Sequence, residues 1–146
     1  MNSLDIVHPN LGLLRYNNEC DWYEGQVILG DRVLSISLET DEAGKIVYTL
    51  LERLNRLVAQ LEEYAENAKD YAVDELLELK DEAWLDEDEK PLTPEQFKTR
   101  MVLESIAISS AGDVKFYHDD GNLFFGHCIL ITMDGSDRFI DADIPG

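Results

Sequence analysis

Residues 113–132, DVKFYHDDGNLFFGHCILIT, decide how this chain folds. Val114 to His118 and Leu123 to Thr132 alternate as strands do, and Asp119-Asp120-Gly121-Asn122 between them has the composition of a tight hairpin turn. Along the second strand, Leu123, Phe125, His127, Ile129 and Ile131 share one face. Phe124, Gly126, Cys128, Leu130 and Thr132 share the other. Both faces are apolar, so the strand is expected at the centre of a sheet, covered on both sides. The stretch also gathers His118, Asp119, Asp120 and His127, all side chains that can ligate a metal.

Those four residues make a metal-binding protein, or a metal-dependent enzyme centred on 118–127, the alternative function. Hairpin geometry argues against it. With a two-residue turn at Asp120-Gly121, His118 pairs near Leu123 while His127 lies further along its strand. At about 3.3 Å per residue the two imidazoles are more than ~10 Å apart, too far for one tetrahedral ion. On the structural reading, Asp119 to Asn122 supply the turn, Gly126 lets a large neighbour approach, and His127 is a hydrogen-bonded core histidine.

Strand patterns continue on either side. Val102, Glu104, Ile106 and Ile108 alternate with Leu103, Ser105 and Ala107, and Ala111-Gly112-Asp113 turns the chain into Val114. Asp134-Gly135-Ser136 turns it again into Asp137 to Asp143. Four strands with short turns predict an antiparallel meander. Before them, Thr93-Pro94-Glu95-Gln96 combines an N-cap threonine, a proline at the first helical position and a glutamine three residues after the cap, predicting a short helix to about Arg100. Val47, Leu50, Leu51, Leu54, Leu57, Val58 and Leu61 form one helical stripe, and a second helix is expected over 65–83, with the joint near Asn67. Earlier still, Trp22 to Leu29 and Val33 to Leu38 alternate around Gly30-Asp31, a β-hairpin. Residues 1–15 read as an irregular arm docked by Leu11, Leu13 and Leu14. The expected fold class is α+β: an N-terminal β-hairpin, two to three helices, then a four-stranded antiparallel meander, with the helices packed on one sheet and residues 1–146 as a single domain.

The chain has 146 residues and is 45% hydrophobic, enough to build a core. Its 31 acidic against 12 basic residues give a net charge of −19. Such a chain repels nucleic-acid phosphates and anionic membranes. Neither is an expected partner. No apolar run is long enough to span a membrane, and no leader pattern is evident. Two cysteines, Cys20 and Cys128, suit a reduced, cytoplasmic chain.

The acidity is concentrated. Between Glu62 and Glu89 stand thirteen acidic residues against Lys69 and Lys80. On the second helix, Glu63, Glu66, Asp70, Asp74, Glu78 and Asp81 fall near one side. Like charges at such spacing work against the helix, which is the arrangement that electrostatic capture of a basic partner uses. The bland reading is a solvated helix face. The candidate partner-binding residues are Glu66, Asp70, Asp74 and Glu78, the run Asp86, Glu87, Asp88 and Glu89, and Trp84 as an aromatic anchor.

Catalytic motifs are lacking. There is no G-x-S-x-G, no glycine-rich phosphate loop, and the segment Asp134-Gly135-Ser136-Asp137 lacks the terminal glutamate of an EF-hand. Cys128 lies in an apolar run, as a small buried hydrophobe would. No catalytic residue and no cofactor is expected.

Pro94-Glu95-Gln96-Phe97, Met101 to Ile106, and Phe116-Tyr117-His118-Asp119-Asp120-Gly121-Asn122-Leu123-Phe124-Phe125-Gly126-His127 together resemble the bacterial domain of unknown function 2262 family. The Tyr23-Glu24-Gly25 hairpin and paired helices fit the same layout. The resemblance implies no activity and no catalytic residues. Small acidic proteins of this sort look like immunity proteins that neutralise bacterial toxins. The expected function is a non-enzymatic protein-binding module, such as an immunity protein for a basic toxin.

Overall fold

The structure is a computed structural model and describes residues 5–84 and 90–145. Among these residues, eight strands form one sheet in sequence order. They are β1 (Ile6–His8), β2 (Gly12–Asn17), β3 (Trp22–Leu29), β4 (Arg32–Glu39), β5 (Val102–Ile108), β6 (Val114–Asp119), β7 (Ile129–Met133) and β8 (Phe139–Asp143). Neighbours are antiparallel except β4 and β5. A parallel pair cannot be closed by a tight turn and needs a crossover. Here the crossover carries α1 (Tyr48–Ala59), α2 (Leu61–Ala83) and α3 (Pro94–Arg100).

The fold is α+β, and the sheet is twice as wide as the expected meander. The β3–β4 hairpin turns at Gly30-Asp31 as the sequence indicates, and β5 to β8 are the four-stranded antiparallel run. The irregular arm is a correction: it contains β1 and β2. β1 has only three residues, too short an alternation to read, but Leu11 and Leu14 are buried and His8 Nδ1 accepts the N–H groups of Asn10 and Leu11 at the turn. Gly25 lets β2 run close to β3. A Cβ there would lie 2.9 Å from the Leu13 carbonyl oxygen.

The 113–132 stretch is also corrected. Only Ile129–Met133 is strand; residues 120–128 form a long loop, not the second half of a hairpin. β7 lies next to the edge strand β8, and the centre of the sheet is β4–β5. In β5 the register slips between Leu103 and Ser105, leaving Glu104 as a bulge. The slip changes the phase of the strand. Leu103 therefore joins Ile106 and Ile108 in the core, against the expected alternation, while Ser105 and Ala107 lie on the opposite face as expected.

The core lies between the sheet and the helices. Leu34, Ile36, Ile106, Phe116 and Ile131 from the sheet meet Leu54, Leu57, Ala68, Ala72 and Phe97 from the helices. Each large apolar side chain buried in this way contributes roughly 1.5–3 kcal/mol. The α1–α2 joint falls at Gln60, not near Asn67. No glycine or proline marks it, and Leu57 and Leu61 are buried on both sides of it, so packing sets the break. α3 starts with the expected capping box, Thr93 Oγ1 accepting from Gln96 N–H and the Gln96 side chain accepting from Thr93 N–H. No helix among the described residues is long and apolar enough to cross a membrane.

Candidate functional site

The loop after β6 is built on Asp120, which is 1% exposed. Its Oδ1 accepts the N–H of Asn122 at 2.9 Å, and its Oδ2 accepts those of Phe124 at 2.9 Å and Gly126 at 3.0 Å. A carboxylate receiving several N–H groups makes strong, charge-assisted bonds. Gly121 is also required: its φ is +56°, and a Cβ would clash with the Arg100 carbonyl group. The Arg100 guanidinium in turn donates to the Gly121 carbonyl oxygen through Nε and Nη2.

The loop carries Phe125 outward. Phe125 is 49% exposed and has φ +58°. A bulky side chain at positive φ is unusual and strained, and such strain concentrates at binding sites. Phe125 abuts Trp84, the C-cap of α2, with ring centroids 5.4 Å apart. Trp84 also meets Phe124 and His127, each at 5.5 Å. The predicted anchor Trp84 is thus half-buried, and Phe125 is the most exposed ring of the group. Phe125 was missed because its φ cannot be read from the sequence, although an aspartate six residues before a glycine is consistent with a closed loop.

The two histidines occupy different surroundings. His127 is half-buried, and its Nδ1 lies 2.5 Å from the Phe124 carbonyl oxygen. Since a carbonyl only accepts, Nδ1 carries the proton. His118, expected just before a turn, is the sealed one: 0% exposed, in the core between β5 and β7. Neither of its ring nitrogens has a hydrogen-bond partner among the described residues. Burial pushes its pKa down to about 4; the backbone at Ile129 opposes this, nearby Lys69 adds to it, and the backbone at Phe116 opposes it in turn. Asp119 is exposed and accepts the N–H of Gly121 at 3.1 Å. Among the described residues no three His, Cys, Asp or Glu side chains converge as metal ligands would.

The acidic residues of α2 divide into two groups. Glu66 and Asp70 both hold Lys98 of α3, Asp70 Oδ1 at 2.6 Å. The bonds to Asp70 and then Glu66 raise the Lys98 pKa. These two carboxylates tie α3 to α2. Asp74 and Glu78 remain exposed and, with Asp81 and Glu82, border a shallow depression of about 560 Å³ floored by Val73 and Leu77. Asp86, Glu87, Asp88 and Glu89 lie outside the described residues.

A larger concavity, about 950 Å³, lies against strands β2 to β6. Its lining includes Arg15, Trp22, Gln26, Ser35, Ser105 and Tyr117. The sequence pointed elsewhere, although Ser35, Ser37 and Ser105 on neighbouring strands were visible as small polar positions.

Comparison with known proteins finds no match among curated proteins or solved structures. A family model described as an uncharacterised protein conserved in bacteria, domain of unknown function 2262, matches residues 8–144. With nearly the whole length matched, the Asp120 loop and the acidic helix included, this chain belongs to the domain of unknown function 2262 family.

Proposed function

We propose that this chain is a non-enzymatic binding module for a basic protein, acting in the cytoplasm, with neutralisation of a basic toxin as the specific form of that role. The observation that carries the reading is Phe125, an exposed ring held at positive φ beside Trp84 at the end of an acidic helix. Interfaces place aromatic anchors at their centre and use surrounding charge to steer the partner. Asp74, Glu78, Asp81 and Glu82 supply that charge, and the net charge of −19 selects a cationic surface. Glu66 and Asp70 contribute to the field while their oxygens serve Lys98. The acidic run Asp86 to Glu89 stands two residues after Trp84 in the sequence. Two unpaired cysteines, Cys20 exposed and Cys128 half-buried, suit a reducing compartment. The metal-dependent alternative gains no support from a sealed His118 and a His127 bonded to its own loop.

The test is affinity capture from extract of the native bacterium, with wild-type protein and Phe125→Asn as paired baits. A basic protein retained by wild type and lost both with the variant and at high salt is expected. Retention of only acidic or neutral proteins, or equal retention by both baits, would refute the reading. The gene beside this one gives an independent check, since a basic toxin is expected there.

A further inference from the structure

We infer that the concavity on the outer face of the sheet is a second site, for a neutral saccharide of about disaccharide size. Its volume of about 950 Å³ falls within the usual range for ligand cavities. It lies on the face opposite the core, because Ser35, Ser37, Ser105 and Ala107 alternate with buried Leu34, Ile36, Leu38, Ile106 and Ile108.

The floor is unusual for an exposed sheet face. β4 and β5 are the central strands, where β-branched and aromatic residues are favoured. Serine and alanine stand there instead, and register places Ser35 opposite Ser105 and Ser37 opposite Ala107. Ser105 and Ala107 reach this face by alternation with buried Ile106 and Ile108. Small side chains on two adjacent strands excavate the floor, at some loss of strand stability.

The remaining groups define the ligand. Trp22 Nε1 donates to Glu24 Oε2 at 2.9 Å, which fixes the indole orientation. Tyr117 lines the other side, next to Ser105 in register. Aromatic rings stack on the C–H faces of sugar rings. The Ser35, Ser37 and Ser105 hydroxyls, the Gln26 amide and the Tyr117 hydroxyl lie beside them, and none has a side-chain partner among the hydrogen bonds of the described residues. These are the donors and acceptors that a polyhydroxylated ligand needs. Charge excludes an anion. Arg15 stands opposite Glu24 in register, so the two ionised groups of the lining cancel, within a molecule of net charge −19.

The test uses isotopically labelled full-length protein titrated with maltose, cellobiose and N,N′-diacetylchitobiose, with glucose 6-phosphate as the anionic control. At least one neutral disaccharide should shift the Trp22 indole N–H and the Ser105 and Tyr117 amides. Trp22→Ala should weaken this by about tenfold or more, corresponding to ~1.4 kcal/mol or more. Ser105→Val should abolish it by filling the floor while leaving the melting temperature unchanged or higher, since valine suits a strand better. That variant separates loss of the site from loss of the fold. The inference is overturned if no disaccharide shifts these signals, if glucose 6-phosphate shifts them equally, or if Ser105→Val binds as wild type does.

Discussion

Asp120 holds Phe125 from both sides: its Oδ2 accepts the N–H of Phe124 at 2.9 Å and that of Gly126 at 3.0 Å. The residue between them is thereby kept at φ +58° with its ring in solvent. Asp120→Ala should release three N–H groups and destabilise the protein by about 2–4 kcal/mol. Asp120→Asn retains one acceptor oxygen and should cost less, about 1–2 kcal/mol. Chemical denaturation of both variants measures this, and equal stability of Asp120→Ala and wild type would show that the loop does not depend on the carboxylate.

Phe125→Asn separates stability from binding. Asparagine tolerates positive φ, and a bulky residue there costs roughly 1–2 kcal/mol. The variant loses contact with Trp84, so its net stability should be unchanged or raised by up to about 1 kcal/mol. Its capture of a basic partner should fail. Thermal melts paired with the capture assay check both halves.

Arg53 joins α1 to two turns of the sheet. Its Nη1 donates to the Gly112 carbonyl oxygen, and its Nη2 to the Asp134 carbonyl oxygen at 2.5 Å and Asp137 Oδ1 at 2.8 Å. Its side chain is 8% exposed, against 37% for Asp137. Arg53→Met leaves two carbonyls and a carboxylate without their donor and should cost about 3 kcal/mol. Asp137→Asn keeps a residue that accepts φ +62° and should cost about 1 kcal/mol. Urea unfolding ranks the two, and the reverse order would refute this assignment of the clamp.

His118 makes the fold sensitive to acid. Its pKa falls from an ordinary 6.5 to about 4 in the folded state because burial disfavours the charged ring. The stabilising contribution is fully present above pH 6.5 and is lost as pH falls from there through about 4. At the lower end the loss is on the order of 3 kcal/mol. His118→Leu removes two orphaned nitrogens and should be as stable as wild type or more so at pH 7. Stability measured across pH 4 to 7 should fall less steeply for the variant, and a parallel fall would place the acid sensitivity elsewhere.

The legible parts of the fold were those set by local chemistry. The Thr93–Gln96 capping box fixed the start of α3, and the Gly30-Asp31 turn fixed the β3–β4 hairpin. The Leu123–Cys128 stretch misled because apolar alternation also arises in a loop that buries Leu123 and Phe124 and exposes Phe125. What closes that loop is Asp120, whose residue type suits a hairpin turn equally well. The bulge at Glu104 moved Leu103 onto the core face of Ile106 and Ile108, and no periodicity reveals a one-residue slip. The acidic helix was legible as a charge pattern. That Glu66 and Asp70 serve Lys98, leaving Asp74 and Glu78 open, depends on how α3 docks on α2.

In the proposed function, Phe125 and the α2 carboxylates act together on a cationic partner. The most direct measurement is a calorimetric titration of the captured basic protein into wild type, Phe125→Asn and the Asp74→Asn, Glu78→Gln double variant, at low and high salt. Affinity for wild type should fall steeply with salt, the double variant should show a shallower salt dependence, and Phe125→Asn should bind at least ~10-fold more weakly at both ionic strengths. Equal affinities for the three proteins, or binding to wild type indifferent to salt, would contradict it.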